Sequence, residues 1–156
     1  MTDKTSWTGA ALTESDINTY LSHTGSAWNS YTPSLSGVTL GNGTLVGDYW
    51  RAGRFTGFKV KLTFGTTTSV SGAMVVGLPV AYADGTDAET FSALMYDAST
   101  VTRIRGGVTA TTTTTVTVNA LLSSGTYVSD TATSSTVPFT WTTSDILIVS
   151  GIYEAA

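Results

Sequence analysis

Residues 55–64, with the sequence FTGFKVKLTF, decide the fold class because large apolar residues alternate along them with polar ones. A repeat of two residues is the spacing of a β-strand that has one buried face. Lys59 and Lys61 would then point to solvent, together with Thr63, and the core side would carry Phe58, Val60, Leu62 and Phe64. We therefore predict a half-buried antiparallel strand at this position.

The chain from Gly37 to its end continues this pattern with β-branched and aromatic residues that glycines interrupt at short, regular intervals. Such spacing is typical of an antiparallel sandwich. We expect about eight strands, at 44–50, 55–64, 72–82, 90–97, 101–108, 112–122, 136–141 and 146–153. Eight strands is the number found in a jelly roll, so residues 37–156 are predicted to form an all-β, jelly-roll-like β-sandwich.

Two further stretches refine this prediction. Residues 146–153 are apolar almost without alternation, which indicates a strand that is buried on both faces in the middle of a sheet. Arg51 to Arg54 separate two strong strand patterns and include Gly53, so they are expected to form a tight hairpin.

Residues 1–35 have a different character and are predicted to form an N-terminal arm that contains one short helix, at about 13–23. Thr13 is a good N-cap, with Asp16 as its reciprocal partner. Apolar residues then follow helical spacing. A helix of two or three turns is not stable alone, so it needs a surface, either its own domain or a partner. The candidate partner-binding residues of this arm are Trp7, Leu12, Ile17, Tyr20 and Leu21.

The composition limits the choice of partners. A chain of 156 residues is long enough for one core, and only 12% of its residues are charged, with a net charge of −4. The 32 threonines and 18 serines supply most of the polar surface. No basic stripe stands out, so no nucleic-acid partner is expected. No apolar run suits a signal peptide or a membrane span, so we expect synthesis in the cytoplasm and no membrane contact.

Catalytic chemistry has few candidate residues. The chain has no cysteine, and its one histidine, His23, lies at the predicted helix end without a nucleophile motif beside it. The acidic stretch 84–89 matches no complete EF-hand and is expected to be a solvated turn, with a metal site as the alternative. Arg103 and Arg105 are expected on the solvent or subunit side of a sheet. We predict no enzymatic activity, no cofactor and no metal.

The aromatic residues leave two possibilities open. They could form a flat platform for sugars, but in a chain of this size most of them should belong to the core or to a subunit interface. The high apolar content and few charges favour an oligomer with closed symmetry, which we expect to be a homotrimer.

Five short stretches, taken together and in this order, resemble a module of tailed-bacteriophage virion proteins, particularly those of long-tailed actinobacterial phages. They are Ala27–Pro33, Thr39–Leu45, Tyr49–Arg54, Phe58–Gly65 and Gly77–Val80. The resemblance covers roughly residues 12–156 and implies a β-sandwich, often trimeric. Such modules are used in minor tail proteins, fibre tips, head fibres and capsid decoration. The resemblance offers no catalytic residues.

The resemblance and the arm lead to one expected function. The chain would be a capsid decoration protein on the outer surface of the virion shell, binding the major capsid protein or another virion protein through its arm. The absence of an upstream fibre region favours this choice. The alternative is a tail-associated adhesion module that binds host surface glycans, and a small carbohydrate-active enzyme is disfavoured.

Overall fold

The computed structural model describes residues 28–83 and 90–156, and every regular element within them is a β-strand. The predicted all-β class is confirmed, whereas the predicted helix at 13–23 lies outside the described residues. The strands are β1 (Asn29–Tyr31), β2 (Leu35–Thr39), β3 (Thr44–Ala52), β4 (Phe55–Thr63), β5 (Ser69–Gly77), β6 (Thr90–Asp97), β7 (Thr102–Ala110), β8 (Thr115–Ser124), β9 (Tyr127–Ala132) and β10 (Ile146–Glu154).

All ten strands belong to one antiparallel sheet. Its order is β1-β3-β4-β10-β6-β7-β8-β5-β2, and β9 pairs with the far end of β8. The C-terminal strand β10 lies between β4 and β6, so the prediction of a central position for it is confirmed.

The sheet curls on itself because its two outermost strands are neighbours in sequence. Only residues 32–34 separate β1 from β2, and the steps from Tyr31 to Leu35 span at most about 14 Å. The hydroxyl of Tyr31 donates to the carbonyl of Gly77 at 3.2 Å, and the Gly77 amide donates to the Ser34 carbonyl at 2.8 Å. The structure therefore shows one curled sheet, and the jelly-roll sandwich stays a finer prediction.

Seven of the eight predicted strands overlap observed ones, and the prediction at 136–141 is wrong. That stretch has only an isolated bridge between Ser134 and Val137. Pro138 has no amide hydrogen to donate to a ladder. The indole nitrogen of Trp141 donates to the carbonyls of Ser134 and Val137, at 3.1 and 3.3 Å. The segment therefore forms a side-chain-supported loop.

Strand β1 and the start of β2 lie within the predicted 1–35 arm. Asn29 pairs with Tyr49 of β3, and Leu35 pairs with Val76 of β5. Both strands are therefore part of the sheet. Any arm that is separate from the sheet ends before residue 28.

The inner face of the curl contains the core. Its side chains come from alternate positions of the central strands, as the pattern of residues 55–64 predicts. Aromatic rings meet edge to face at one end, where the Phe58 and Tyr153 centroids are 5.8 Å apart. The most deeply buried apolar residues include Phe58, Val60, Leu62, Met74, Met95, Val108, Val116, Val118, Leu147 and Val149.

Candidate interaction surface

The outer face of β10 is apolar and only partly covered. On the inner face, Leu147 and Val149 are fully buried, but Ile152 on the outer face is 59% exposed. Ile146 and Ile148 on the same outer face are half-buried. The prediction that residues 146–153 are buried on both faces is therefore wrong, because this chain's described residues cover only one face.

Three exposed apolar residues and one half-buried one lie at one end of the sheet, which we call the apolar end: Trp28, Phe55 and Ile152 are exposed, and Trp50 is half-buried. Trp50 and Ile152 both lie opposite Gly57 of β4, in one row across three strands. Gly57 has no side chain, and the Trp50 indole lies over it in close contact. Trp28, Phe55 and Ile152 are 54%, 62% and 59% exposed. The apolar end includes Trp28, which precedes β1 directly.

A second surface runs along the outer face of β10 and β6. Ile148 lies opposite Lys61 of β4 on one side and opposite Leu94 of β6 on the other. Leu94 lies opposite Arg105 of β7. From β4 to β7, this row therefore consists of a cation, two aliphatic side chains and a second cation.

The neighbouring rows extend this surface. Ile146 lies opposite Tyr96, and Tyr96 lies opposite Arg103. The Arg103 guanidinium is 4.9 Å from the Tyr96 ring centroid, a cation–π contact. In the other row, Lys59 lies opposite Ser150. We call the whole surface the basic strip, consisting of Lys59, Lys61, Leu94, Tyr96, Arg103, Arg105, Ile146 and Ile148.

The basic strip concentrates the positive charge of the described residues. Those residues contain six Lys and Arg, and four of them, all exposed, lie on the strip. The strip is not visible in the sequence because Lys61 and Arg105 are far apart in the chain and come together only through β10 and β6. The exposure of Lys59, Lys61, Arg103 and Arg105, by contrast, was predicted and is confirmed.

The strip's cations have no ion pair with the described part of the chain. The only ion pair there joins Arg54 to Glu154 at 3.0 Å, away from the strip. Asp48 lies opposite Lys59 on β3, but it accepts a bond from the Ser30 hydroxyl at 3.4 Å. The Asp130 carboxylate lies beside Gly107 of β7. The strip therefore has four positive charges with two carboxylates near it.

The inner face has two buried polar atoms without hydrogen-bond partners, Nε of Arg51 and Oγ1 of Thr56. These residues are directly opposite each other on β3 and β4. Tyr153, nearby, donates to the Val80 carbonyl at 2.7 Å. Burial raises the pKa of the Tyr153 hydroxyl, while the Val80 hydrogen bond and the Arg51 charge oppose that rise.

The buried carboxylates of Asp97 and Asp145 hold loops together. Asp97 accepts bonds from the amide and the hydroxyl of Ser99, at 2.8 and 2.7 Å, and from the hydroxyl of Thr100 at 2.8 Å. The side-chain hydrogen bonds from Ser99 and Thr100 lower the pKa of Asp97 below its ordinary value of 3.8. Asp145 accepts from the amides of Ala98 and Thr142. Within 28–83 and 90–156, no group of three or more His, Asp or Glu could hold a metal ion.

The predicted partner-binding residues are not placed by the structure. Trp7, Leu12, Ile17, Tyr20 and Leu21 all lie outside the described residues, as do His23 and the acidic stretch 84–89. Among the residues that are described, no helix is long and apolar enough to cross a membrane.

The aromatic residues divide between the core and the surface. Tyr82 and Tyr153 are buried, and Trp141 stacks on Phe64 with ring centroids 4.8 Å apart. Trp28 is exposed at the apolar end. The core position expected for aromatic residues is confirmed for Phe58, Phe64, Tyr82, Phe91 and Tyr153, and a subunit interface at the exposed ones stays a prediction.

Comparison of the chain with protein-family models, with curated proteins and with solved structures finds no match. The resemblance to phage virion modules therefore stays a prediction. The apolar end and that resemblance are the basis of the function proposed below.

Proposed function

We propose that this chain is a non-enzymatic structural protein of a tailed-bacteriophage virion, a capsid decoration protein on the outer surface of the shell. The sheet forms the outward body and associates into a homotrimer. Residues 1–27 attach the body to the major capsid protein or to another virion protein. The finer fold of the body is a jelly-roll-like sandwich.

The observation that carries this proposal is the apolar end. Phe55 and Ile152, on the neighbouring strands β4 and β10, and Trp28, just before β1, expose more than half of their surfaces. Clustered apolar side chains on a soluble protein mark an interaction site more often than isolated ones do. A closed ring of identical subunits would cover such a patch on every copy.

The stretches that resemble phage modules support the proposal because several of them meet in space. Tyr31 bonds Gly77, and Gly47 lies against the Tyr31 and Pro33 side chains. The Asn42 side chain bonds residues 66 and 67 on the neighbouring turn. Tyr31 links the edge strand β1 to the end of β5, and Asn42 links the turn after β2 to the turn after β4. Such residues suit a motif that maintains a fold.

The proposed attachment follows from the amphipathic pattern of the arm. Burying side chains such as Ile17, Tyr20 and Leu21 contributes about 1.5–3 kcal/mol each. A single arm therefore binds modestly. A trimer presents three arms, and the high effective concentration of the second and third strengthens binding.

Deleting residues 1–24 tests the attachment, with thermal melting and binding to purified phage particles as the two measurements. We expect a body that melts normally and no longer binds. A body that fails to fold, or that still binds at full occupancy, would overturn the attachment role. Ile17→Asp should abolish binding, whereas Asn18→Asp adds the same charge on the polar face and should preserve it.

An adhesion module at the tail is the second candidate, because Trp28 is 54% exposed at the apolar end and flat aromatic rings stack on sugars. Labelling the protein in electron micrographs of particles separates the two candidates. A copy number in the hundreds on the head supports decoration. A few copies at the tail, with Trp28→Ala reducing adsorption but not shell stability, support adhesion.

A further inference from the structure

We infer that the basic strip binds an acidic amphipathic segment of a partner protein. The apolar side chains of that segment would lie on Leu94, Ile146 and Ile148, and its carboxylates would meet the cations on either side. This contact is separate from the proposed attachment through residues 1–27. The attachment could therefore be disproved without contradicting this contact.

The dimensions of the strip fit one helix. Neighbouring strands are about 4.8 Å apart, so the backbones that carry Lys61 and Arg105 are about 14 Å apart across β10 and β6. A helix with its side chains is about 10–12 Å in diameter. A helix lying along β10 and β6 would therefore have one row of cations on each of its sides.

The charges favour an anionic partner. Lys59, Lys61, Arg103 and Arg105 have no ion pair with described residues, although the whole chain has a net charge of −4. Maintaining four like charges on one face of an acidic protein is unfavourable unless opposite charges meet them. Complementary charge at the edges of an interface steers association and fixes orientation.

The apolar centre favours a protein over a nucleic acid. Ile146, Ile148 and Leu94 are aliphatic and half-buried, which matches the apolar centre and polar rim of a protein interface. Single-stranded nucleic acid is held by aromatic rings on which bases stack. The strip has one aromatic ring, Tyr96, and the Arg103 guanidinium lies over it.

A second copy of this chain does not fit the strip well. Two strips facing each other across a two-fold axis would bring two sets of four cations together. Among the described carboxylates, Asp97 and Asp145 are buried, and Glu154 pairs with Arg54. Asp48 and Asp130 lie beside the strip itself. The described residues therefore offer few carboxylates for a neighbouring strip.

The test measures the affinity of the full chain for a fluorescent acidic peptide by anisotropy at low salt. The peptide is about 18 residues long, which is five helical turns, with leucines at positions i, i+3, i+4 and i+7 and glutamates on both sides. Three further probes are compared with it: the same peptide with serine in place of leucine, a single-stranded DNA oligonucleotide, and vesicles that contain phosphatidylserine.

We expect the leucine peptide to bind more tightly than the serine peptide, the DNA or the vesicles. The double variant Lys61→Glu with Arg105→Glu should weaken peptide binding at least about tenfold. Ile148→Ser should also weaken it, which a purely electrostatic contact would not show. Arg54→Glu, a charge reversal outside the strip, should leave binding within about twofold, the scale of an exposed single charge.

Three results would overturn the inference. One is failure of the leucine peptide to bind the wild-type chain, and another is equal binding to the double variant when circular dichroism shows that the variant is folded. Tighter binding of DNA or vesicles than of the peptide, lost in the same variant, would replace the protein partner with a nucleic acid or a lipid surface.

Discussion

The two faces of β10 have similar residues but very different surroundings. On the inner face, Leu147 and Val149 are almost wholly buried. On the outer face, Ile146 lies opposite Thr63 and Tyr96, and Ile148 lies opposite Lys61 and Leu94. Both are half-buried, and Ile152 is largely exposed. Both faces are apolar in sequence, so apolar character alone does not show which face the protein itself covers.

The difference in burial distinguishes the residues of β10 that stabilise the folded monomer from those that are free for association. Burial of the inner face on folding removes apolar area from water and stabilises the monomer. The outer face gains less from folding, and we propose that its exposed apolar residues act in contacts with other molecules. Substitutions on the inner face should therefore change the free energy of unfolding, and those on the outer face should change binding.

The largest expected effect is that of Leu147→Ala. Truncating this buried side chain leaves a cavity, so we expect a loss of about 2–5 kcal/mol in the free energy of unfolding. Ile148→Ala, the next residue on the opposite face, should cost less than about 1.5 kcal/mol, since part of its surface is already in water. Urea denaturation of both variants measures the difference. Equal losses would mean that the outer face is as well packed as the core.

The next effect concerns how closely the inner face is packed. A Cβ at Gly106 would overlap the Asn119 carbonyl and come within 2.6 Å of Met95 Cε. We therefore expect Gly106→Ala to cost about 1–3 kcal/mol. Gly72→Ala is the control because nothing lies within 4 Å of its added Cβ. Equal melting temperatures for the two variants would show that the Asn119 backbone does not lie close to Gly106.

The sequence predicted the inner face well because its signal is local. Alternation along residues 55–64 gives both the strand and its buried side, and the structure confirms them. The basic strip could not be predicted in the same way. Lys61 and Arg105 become neighbours only through the strand order β4-β10-β6-β7, which depends on the C-terminal strand inserting between two earlier ones.

Strands β9 and β1 could not be predicted from the sequence for a related reason. Strand β9, YVSDTA, is polar and exposed, so its pairing with β8 leaves no apolar pattern in the sequence. Strand β1 has only three residues. The candidate binding residue Ile17 follows from helical spacing, and Trp7 is a large apolar residue in a polar stretch before the predicted helix. Both stay predictions because they lie outside the described residues.

Polar groups on the inner side provide a third test through pH. Hydrogen bonds from Ser99 and Thr100 lower the pKa of Asp97 below 3.8. The ionised carboxylate therefore stabilises the fold above that pH, and this contribution is lost as the pH falls through the lowered folded value. Ser99→Ala should shift the pKa of Asp97 upward in a carboxyl NMR titration. Ser92→Ala, on the outer face of the same strand, should not shift it.

Two buried threonines test whether the inner face tolerates an unpartnered hydroxyl. Thr56 Oγ1 has no partner, so Thr56→Val should raise the free energy of unfolding by about 1 kcal/mol. The Thr133 hydroxyl accepts from Met74 N at 2.9 Å and donates to the Val118 carbonyl at 3.0 Å, so Thr133→Val should destabilise by about 1–3 kcal/mol. A loss at Thr56 as well would show that its hydroxyl has a partner in solution.

The smallest effect on stability is expected at the apolar end. Ile152 is 59% exposed, so Ile152→Ser should change the free energy of unfolding by no more than about 0.5 kcal/mol. The same substitution should strongly weaken self-association, because a serine at the centre of the proposed subunit contact removes apolar surface that the contact would bury. Sedimentation should show wild-type trimers and Ile152→Ser monomers at micromolar concentration, with Thr44→Ser, at the other end of β3, remaining trimeric. A wild-type chain that sediments as a monomer would contradict the homotrimer. A trimeric Ile152→Ser variant would place the subunit contact elsewhere on the outer face.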